Sequence, residues 1–190
     1  MERVIVGITG ASGAIYGERA VEVLVSNGYA VDVIFSKVGK KVFEYELKSK
    51  VEEFLSKFPK EKVRTFDYDD LFALPSSGSY RVLGMIVIPC SAGTLSHIAN
   101  GITENLIHRA ADVCLKERRP LVLVLRETPL NRIHIENMLK IVDAGGIVFP
   151  ACPAFYSKPK TINHLVDFVV ERSLRLLVKK EFHLIKNWGD

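Results

Sequence analysis

The sequence predicts a three-layer α/β domain, a parallel β-sheet with helices on both faces. Three observations carry this reading. Apolar runs such as RVIVGIT, VLGMIVIP and PLVLVLRE show little of the alternation of a half-exposed strand, as strands covered on both faces should. Segments with helical apolar spacing separate them. The connections are short, and strands alternating with helices through short loops are the signature of a parallel sheet.

Taken in order, residues 3–9 read as the first strand, followed by GASG and a helix in AIYGERAVEVLVSNG, whose Ile15, Ala20, Val21, Leu24 and Val25 lie near helical spacing. Asn27 and Gly28 supply its stop. Residues 29–36 read as the second strand, and 38–58 as helical up to the break before Pro59. A short strand candidate lies within 62–70, and 71–79 is a loop of turn formers. Residues 82–89 form a strongly apolar strand, 95–116 a helical stretch with Gly101 as its dividing point, and 120–127 another buried strand. A helix over 131–145, a last strand over 146–151 and a final helix over 162–182 complete the order. No internal repeat or low-complexity tract interrupts it.

A chain of 190 residues is most economically one domain, here 1–190, able to bury roughly 70% of its extended surface. The net charge of +4 suits an anionic small ligand but is too weak to argue for nucleic acid, and no basic patch is interleaved with aromatics. Cys90, Cys114 and Cys152 are odd in number and far apart; this fits a reducing compartment and offers neither a disulfide framework nor a zinc knuckle. No H-E-x-x-H or paired-cysteine motif occurs, so no metal is expected. The charged N-terminus and its short apolar run make neither a signal peptide nor a membrane span. The expectation is a soluble, cytoplasmic protein.

In a parallel α/β sheet, ligands bind beyond the carboxyl ends of the strands, where strand order reverses. The glycine loop GITGASG lacks the dinucleotide pattern G-x-G-x-x-G, and the second strand ends in Ser36 with Asp32 inside it, so the ribose-binding carboxylate is missing. The backbone N–H groups of Gly10, Ala11 and Ser12 still make an anion nest, with the Thr9 and Ser12 hydroxyls in reach. A mononucleotide phosphate fits such a loop better than a dinucleotide; tight helix-to-sheet packing is the alternative. Ser91, Ala92, Gly93 and Thr94 let a ring or phosphate approach the backbone, or serve only to cap the next helix. Arg126 and Glu127 end a nearly uncharged strand, as an ion pair or a catalytic pair. On residue type alone, Tyr156 reads as loop packing, Arg172 as a solvated helical face, and His97 and His108 as surface or packing residues.

The motifs GITGASGAIYG, PCSAGTLSHIANG, NLIHRAADVCLKERRPLVLVLRETPLN, HIENMLKIVDAGGIVFP and PAFYSKPKTINHLVDFVVERSL together resemble the UbiX/Pad1 flavin prenyltransferase family, in the flavin-containing cysteine decarboxylase superfamily. The resemblance spans nearly the whole chain. It implies a Rossmann-like or flavodoxin-like fold, reduced FMN as acceptor, and dimethylallyl phosphate as donor, with bonds made at N5 and C6 of the flavin. It implies a homo-oligomer, usually a dodecamer with sites between subunits, and delivery of prenylated FMN to a UbiD-type decarboxylase. The FMN positions of the family match Gly10, Ala11, Ser12, Ser36, Ser91, Ala92, Gly93, Thr94 and Arg126. Its donor-phosphate positions match Tyr156 and Arg172, with Arg109 and Lys116 as further basic residues. Its acidic positions match Glu46 and Glu127; the expectation is proton transfer by Glu127, with Ser12 and Glu46 serving the flavin side.

Two departures stand out: SAGT where relatives carry SMKT, and Arg175 where relatives carry an acid. The tail with Trp188 reads either as a cover for a neighbouring site, anchored by that residue, or as a frayed end. Rival readings are a flavin-dependent decarboxylase of the same superfamily, a non-enzymatic flavin or electron-transfer module, and a direct aromatic-acid decarboxylase.

Overall fold

The computed structural model describes residues 1–187 and 189; Trp188, the expected tail anchor, lies outside the described residues. The elements run β1 (Arg3–Ile8), α1 (Ala14–Ser26), β2 (Ala30–Phe35), α2 (Lys37–Leu47), α3 (Val51–Ser56), β3 (Val63–Thr65), a 3-10 turn (Leu74–Ser76), β4 (Met85–Cys90), α4 (Ala92–Ala99), α5 (Leu106–Lys116), β5 (Leu121–Leu125), α6 (Arg132–Asp143), β6 (Ile147–Pro150) and α7 (Ile162–Val178). The strands form one parallel sheet in the order β3-β2-β1-β4-β5-β6. The order reverses between β1 and β4, which opens a crevice beyond their carboxyl ends.

Each central strand feeds two cores, as the unbroken apolar runs require. Val4, Val6 and Ile8 of β1, Ile86 and Ile88 of β4, and Val122 and Val124 of β5 face the layer made by α1, α2, α3 and α7. Ile5, Met85, Val87, Leu121, Leu123 and Leu125 face the layer made by α4, α5 and α6. Asp32 interrupts this pattern at full burial, but it accepts hydrogen bonds from Arg3 and Tyr80, each at 2.6 Å. It is thereby committed to the sheet and is no ribose ligand.

Boundaries differ from expectation where caps decide them. The 38–58 stretch divides into α2 and α3 because Lys48 ends α2 in a left-handed conformation (φ 51°). The helix after β4 starts before residue 95, since the Ser91 side chain accepts from Thr94 N and caps it there. The break at Gly101 (φ 67°) occurs as expected, and Asn105 caps α5. The last helix stops at Val178 rather than continuing to 182, because Lys179 (φ 53°) turns the chain back.

Gly17 sets how closely α1 lies on the strand ends that carry the crevice. A Cβ there would sit 2.7 Å from the Ile88 carbonyl oxygen and 2.9 Å from Ile8 Cδ1. Alanine favours a helix over glycine by about 1 kcal/mol, yet overpacking against a backbone carbonyl costs about 1–3 kcal/mol, so the clash outweighs the propensity. Gly17→Ala is expected to lower the urea midpoint of unfolding; a raised midpoint would show that α1 is free to shift.

Candidate functional site

The crevice is held open by a clip between its two walls. Thr9, 1% exposed, donates its hydroxyl to the Pro89 carbonyl at 2.8 Å and accepts from Ser91 N at 2.8 Å. The expectation that Thr9 reaches a ligand anion is therefore corrected: its hydroxyl is spent joining β1 to β4. Ser36 N donates to Ile8 O and Arg126 N to Cys90 O, so the exits of β2, β1, β4 and β5 are locked side by side.

The start of α1 is bare of its own cap. Gly13 (φ 109°) offers no side chain, and the first turn carries no acid. Uncapped N–H groups attract an anion, and here the anion comes from the last turns of α2. Glu46 Oε2 accepts from Gly13 N at 2.9 Å and Ala14 N at 2.8 Å. Burial pushes this carboxyl up, but the Ser12 side-chain hydrogen bond, the two backbone N–H groups and the Arg126 charge outweigh it and hold the acid below its ordinary value. Glu46 thus takes the two N–H groups that follow the sequence-predicted nest of Gly10, Ala11 and Ser12, together with the Ser12 side chain.

Arg126 comes close enough to bias Glu46, and its Nε is buried with no hydrogen-bond partner among the described residues. An orphaned buried guanidinium N–H costs free energy until an acceptor arrives. Two further features make room for one. A Cβ on Gly10 would strike Val38 Cγ1 at 2.6 Å, so the glycine lets the exposed Val38 cover the loop. A Cβ on Gly93 would meet only Ser91 Oγ at 4.0 Å, so the protein's own packing does not demand glycine at the open edge of the crevice. An anionic, planar acceptor such as a flavin mononucleotide fits this combination.

The other candidate residues divide clearly. Ser36 and Ser91 act as helix caps, accepting from Gly39 N at 2.9 Å and Thr94 N at 3.2 Å, and Ser91 also donates to Thr94 Oγ1 at 3.1 Å. Ala92 stands in the first turn of α4 beside them. Glu127 lies at the rim and accepts from Thr128 N at 3.0 Å. Tyr156 packs edge-on against Phe168 of α7, and Arg172 stands exposed one turn further along the same helix. Arg109 and Lys116 are not brought to them within one protomer. Arg109 binds the Ser76 carbonyl at 3.1 Å and Asp112 at 2.6 Å, and Lys116 pairs with Glu117 beside Gly78. Lys116 ends α5, at the pole where β5 begins, whereas Arg126 stands where β5 ends; five strand residues separate these poles by roughly 16 Å.

Sequence reasoning missed Val38 and Tyr16. Tyr16 lies against Gly13, and burial, with the nearby Cys152, pushes its phenol up. Its position one turn after the glycine loop was the available signal. Cys90 is fully buried and its thiol is pushed up to about 12 by burial, in keeping with a packed strand end. His97 and His108 stack at 4.5 Å, and burial, then His97, pushes His108 down to about 4. No group of three or more His, Cys, Asp or Glu among the described residues could hold a metal.

Comparison with known proteins places these features in company. Residues 1–174 match the Flavoprotein family. The chain is 48% identical to the flavin prenyltransferase UbiX of Halalkalibacterium halodurans, over 97% of this chain and 92% of that one. Its fold superimposes with a TM-score of 0.94 on AnUbiX (PadA1) in complex with FMN and dimethylallyl pyrophosphate, at 39% identity, covering 100% of this chain and 98% of that one. It matches a dodecameric FMN-dependent UbiX-like decarboxylase from Escherichia coli O157:H7 with a TM-score of 0.92 at 39% identity, covering 99% and 100%.

Because the Glu46 acid is held below its ordinary 4.5, the folded state binds its proton less readily than the unfolded chain. Its stabilising contribution is present above that ordinary value and is lost as pH falls through the folded one. Glu46→Gln should lower stability at pH 7 and flatten the acid limb of a urea-midpoint profile from pH 7 to 3. Parallel wild-type and variant profiles below pH 4.5 would remove Glu46 as the source.

Proposed function

Because the chain belongs to the UbiX/Pad1 flavin prenyltransferase family, we propose that it transfers a dimethylallyl group from dimethylallyl phosphate to reduced FMN. The observation that carries this reading is the buried, unpartnered Nε of Arg126 beside the Glu46-bound start of α1. Gly10, Ala11, Ser12, Ser36, Ser91, Ala92, Gly93, Thr94 and Arg126 would hold the flavin. Reduced FMN supplies, when bound, the electron-rich N5 and C6 positions to which the prenyl group is joined.

The chain's own part is to manage the leaving phosphate and the protons. When the allylic C–O bond breaks, the electron pair leaves with the phosphate, so cationic donors are needed at its oxygens. Tyr156 supplies a phenol and Arg172 a guanidinium for this purpose. Glu127, at the rim, is the proton donor to the departing phosphate, while Ser12 and Glu46 fix the flavin side. The apolar cover from Val38 limits water, which would otherwise capture the prenyl fragment. Arg109 and Lys116 complete the phosphate site from a neighbouring subunit. That role accords with a homo-oligomer, and the exposed apolar side chains Phe72, Ile133, Ile135 and Leu139 suit subunit contacts. A dodecamer is the assembly we favour, and a UbiD-type decarboxylase is the consumer of the product.

Among the described residues no helix is long and apolar enough to cross a membrane. The cysteines Cys90, Cys114 and Cys152 are free, which supports a cytoplasmic setting.

Anaerobic incubation of the protein with reduced FMN and dimethylallyl phosphate should yield a flavin heavier by one dimethylallyl-derived unit, with matching phosphate release. An unchanged flavin in protein that demonstrably binds FMN would overturn the assignment. Phosphate release without flavin modification would instead indicate a phosphatase. Glu127→Gln is expected to slow product formation about 100-fold or more, the usual scale for a lost acid/base group; a wild-type rate would remove it from proton transfer.

A further inference from the structure

The mechanism leaves one buried carboxylate unused. Glu171 lies on the core side of α7, 2% exposed, next to Arg172, whose side chain is exposed. A carboxylate removed from water needs donors, and both of its oxygens find them in the chain that follows the helix. Phe182 N donates to Oε1 at 3.0 Å and Leu184 N to Oε2 at 2.9 Å.

These bonds fasten a strap. Lys179 turns the chain back in a left-handed conformation (φ 53°). Phe182 then buries its ring 6.4 Å from that of Tyr29, and Arg175 donates to Glu181 at 2.6 Å and to Asn187 at 3.1 Å. Arg175, one of the two departures noted in the sequence, thus braces the outside of the strap that Glu171 holds from within. The far end of the strap reaches the loop after Tyr156. Leu184, Ile185 and Lys186 face Ser157, Lys158 and His164 around a cavity of about 310 Å³.

On the reading that Tyr156 and Arg172 hold the donor phosphate, we propose that Glu171 is a positioning residue for the prenyl donor. Latching the strap fixes the wall that faces the 157–160 loop, and with it the setting of Tyr156 against Phe168 one turn from Arg172. If the latch loosens, ordering of this loop must be met at each binding event, and donor affinity falls. The flavin side of the crevice, built on the exits of β1, β2, β4 and β5, is untouched.

The test breaks the latch from both ends. Glu171→Gln keeps the shape but turns an NH₂ toward one backbone donor, and Leu184→Pro removes the N–H from the strap. Each is expected to raise the KM for dimethylallyl phosphate about tenfold, the scale of a lost hydrogen bond to a charged group. The Kd for FMN and kcat should stay close to wild type, while amide exchange at Phe182 accelerates. The double variant should be no worse than the more impaired single one, because both loosen the same latch. Accelerated exchange with an unchanged donor KM would overturn the proposal, as would an equal loss of FMN affinity. If Glu171→Gln fails to fold, Leu184→Pro carries the same test. Arg172→Ala separates the two readings. A raised donor KM there with no effect from the latch variants overturns the positioning role alone. No effect from Arg172→Ala overturns the donor-site reading, and the positioning role with it.

Discussion

The start of α1 has no cap of its own, and the crevice is arranged around the carboxylate that Glu46 brings to it from α2. The contact does two things at once. It satisfies Gly13 N and Ala14 N, which would otherwise be orphan donors at a helix end, and it places a negative charge within reach of Arg126. Arg126 thus lies in the field of a fixed carboxylate while its Nε stays unsatisfied. A helix cap supplied from a distance therefore sets the electrostatic character of the pocket. A local side-chain cap is not open to position 13, because its φ of 109° strains any residue with a Cβ and that Cβ would meet the Tyr16 ring at 2.9 Å.

The small hydroxyl residues around the crevice act first as scaffold. Ser36 and Ser91 cap α2 and α4, and Thr9 clips β4 to β1. Their side chains are held near the strand exits by the bonds that close the helix ends. This is why a stretch such as PCSAGT looks equally like a turn and like a cradle: the residue types that cap a helix are those that leave its entrance open to a ligand. What distinguishes the two is Gly93. Its missing Cβ answers no packing need of the protein, whereas Gly17 is held against the Ile88 carbonyl.

Much of the fold was legible because the strands bury both faces. Runs such as Leu121 to Leu125 admit few alternatives, and the parallel sheet with helices on both faces followed from the alternation of elements. The boundaries were less legible, since Lys48 and Lys179 stop helices by taking left-handed conformations that a lysine does not announce. In the site, the glycine loop and the strand-end residues could be found from position alone. Glu46 could not. It stands 32 residues from Ala14, one of the N–H groups it binds, and nothing local in its helix marks it; only the family resemblance named it. Thr9 was placed in the right region with the wrong partner, because whether a hydroxyl serves the scaffold or a ligand depends on the neighbouring strand.

The placement of Arg109 and Lys116 has a further consequence. Both sit on α5, in the layer with α4 and α6, whereas Tyr156 packs on α7 in the opposite layer. Side-chain reach does not cross a fully buried sheet, and Arg109 is already engaged by Ser76 and Asp112. A phosphate site drawing on all four residues is therefore incomplete in one protomer. If the proposed roles hold, flavin binding draws on the exits of β1, β2, β4 and β5 and is separable from donor binding, which would draw on a second subunit.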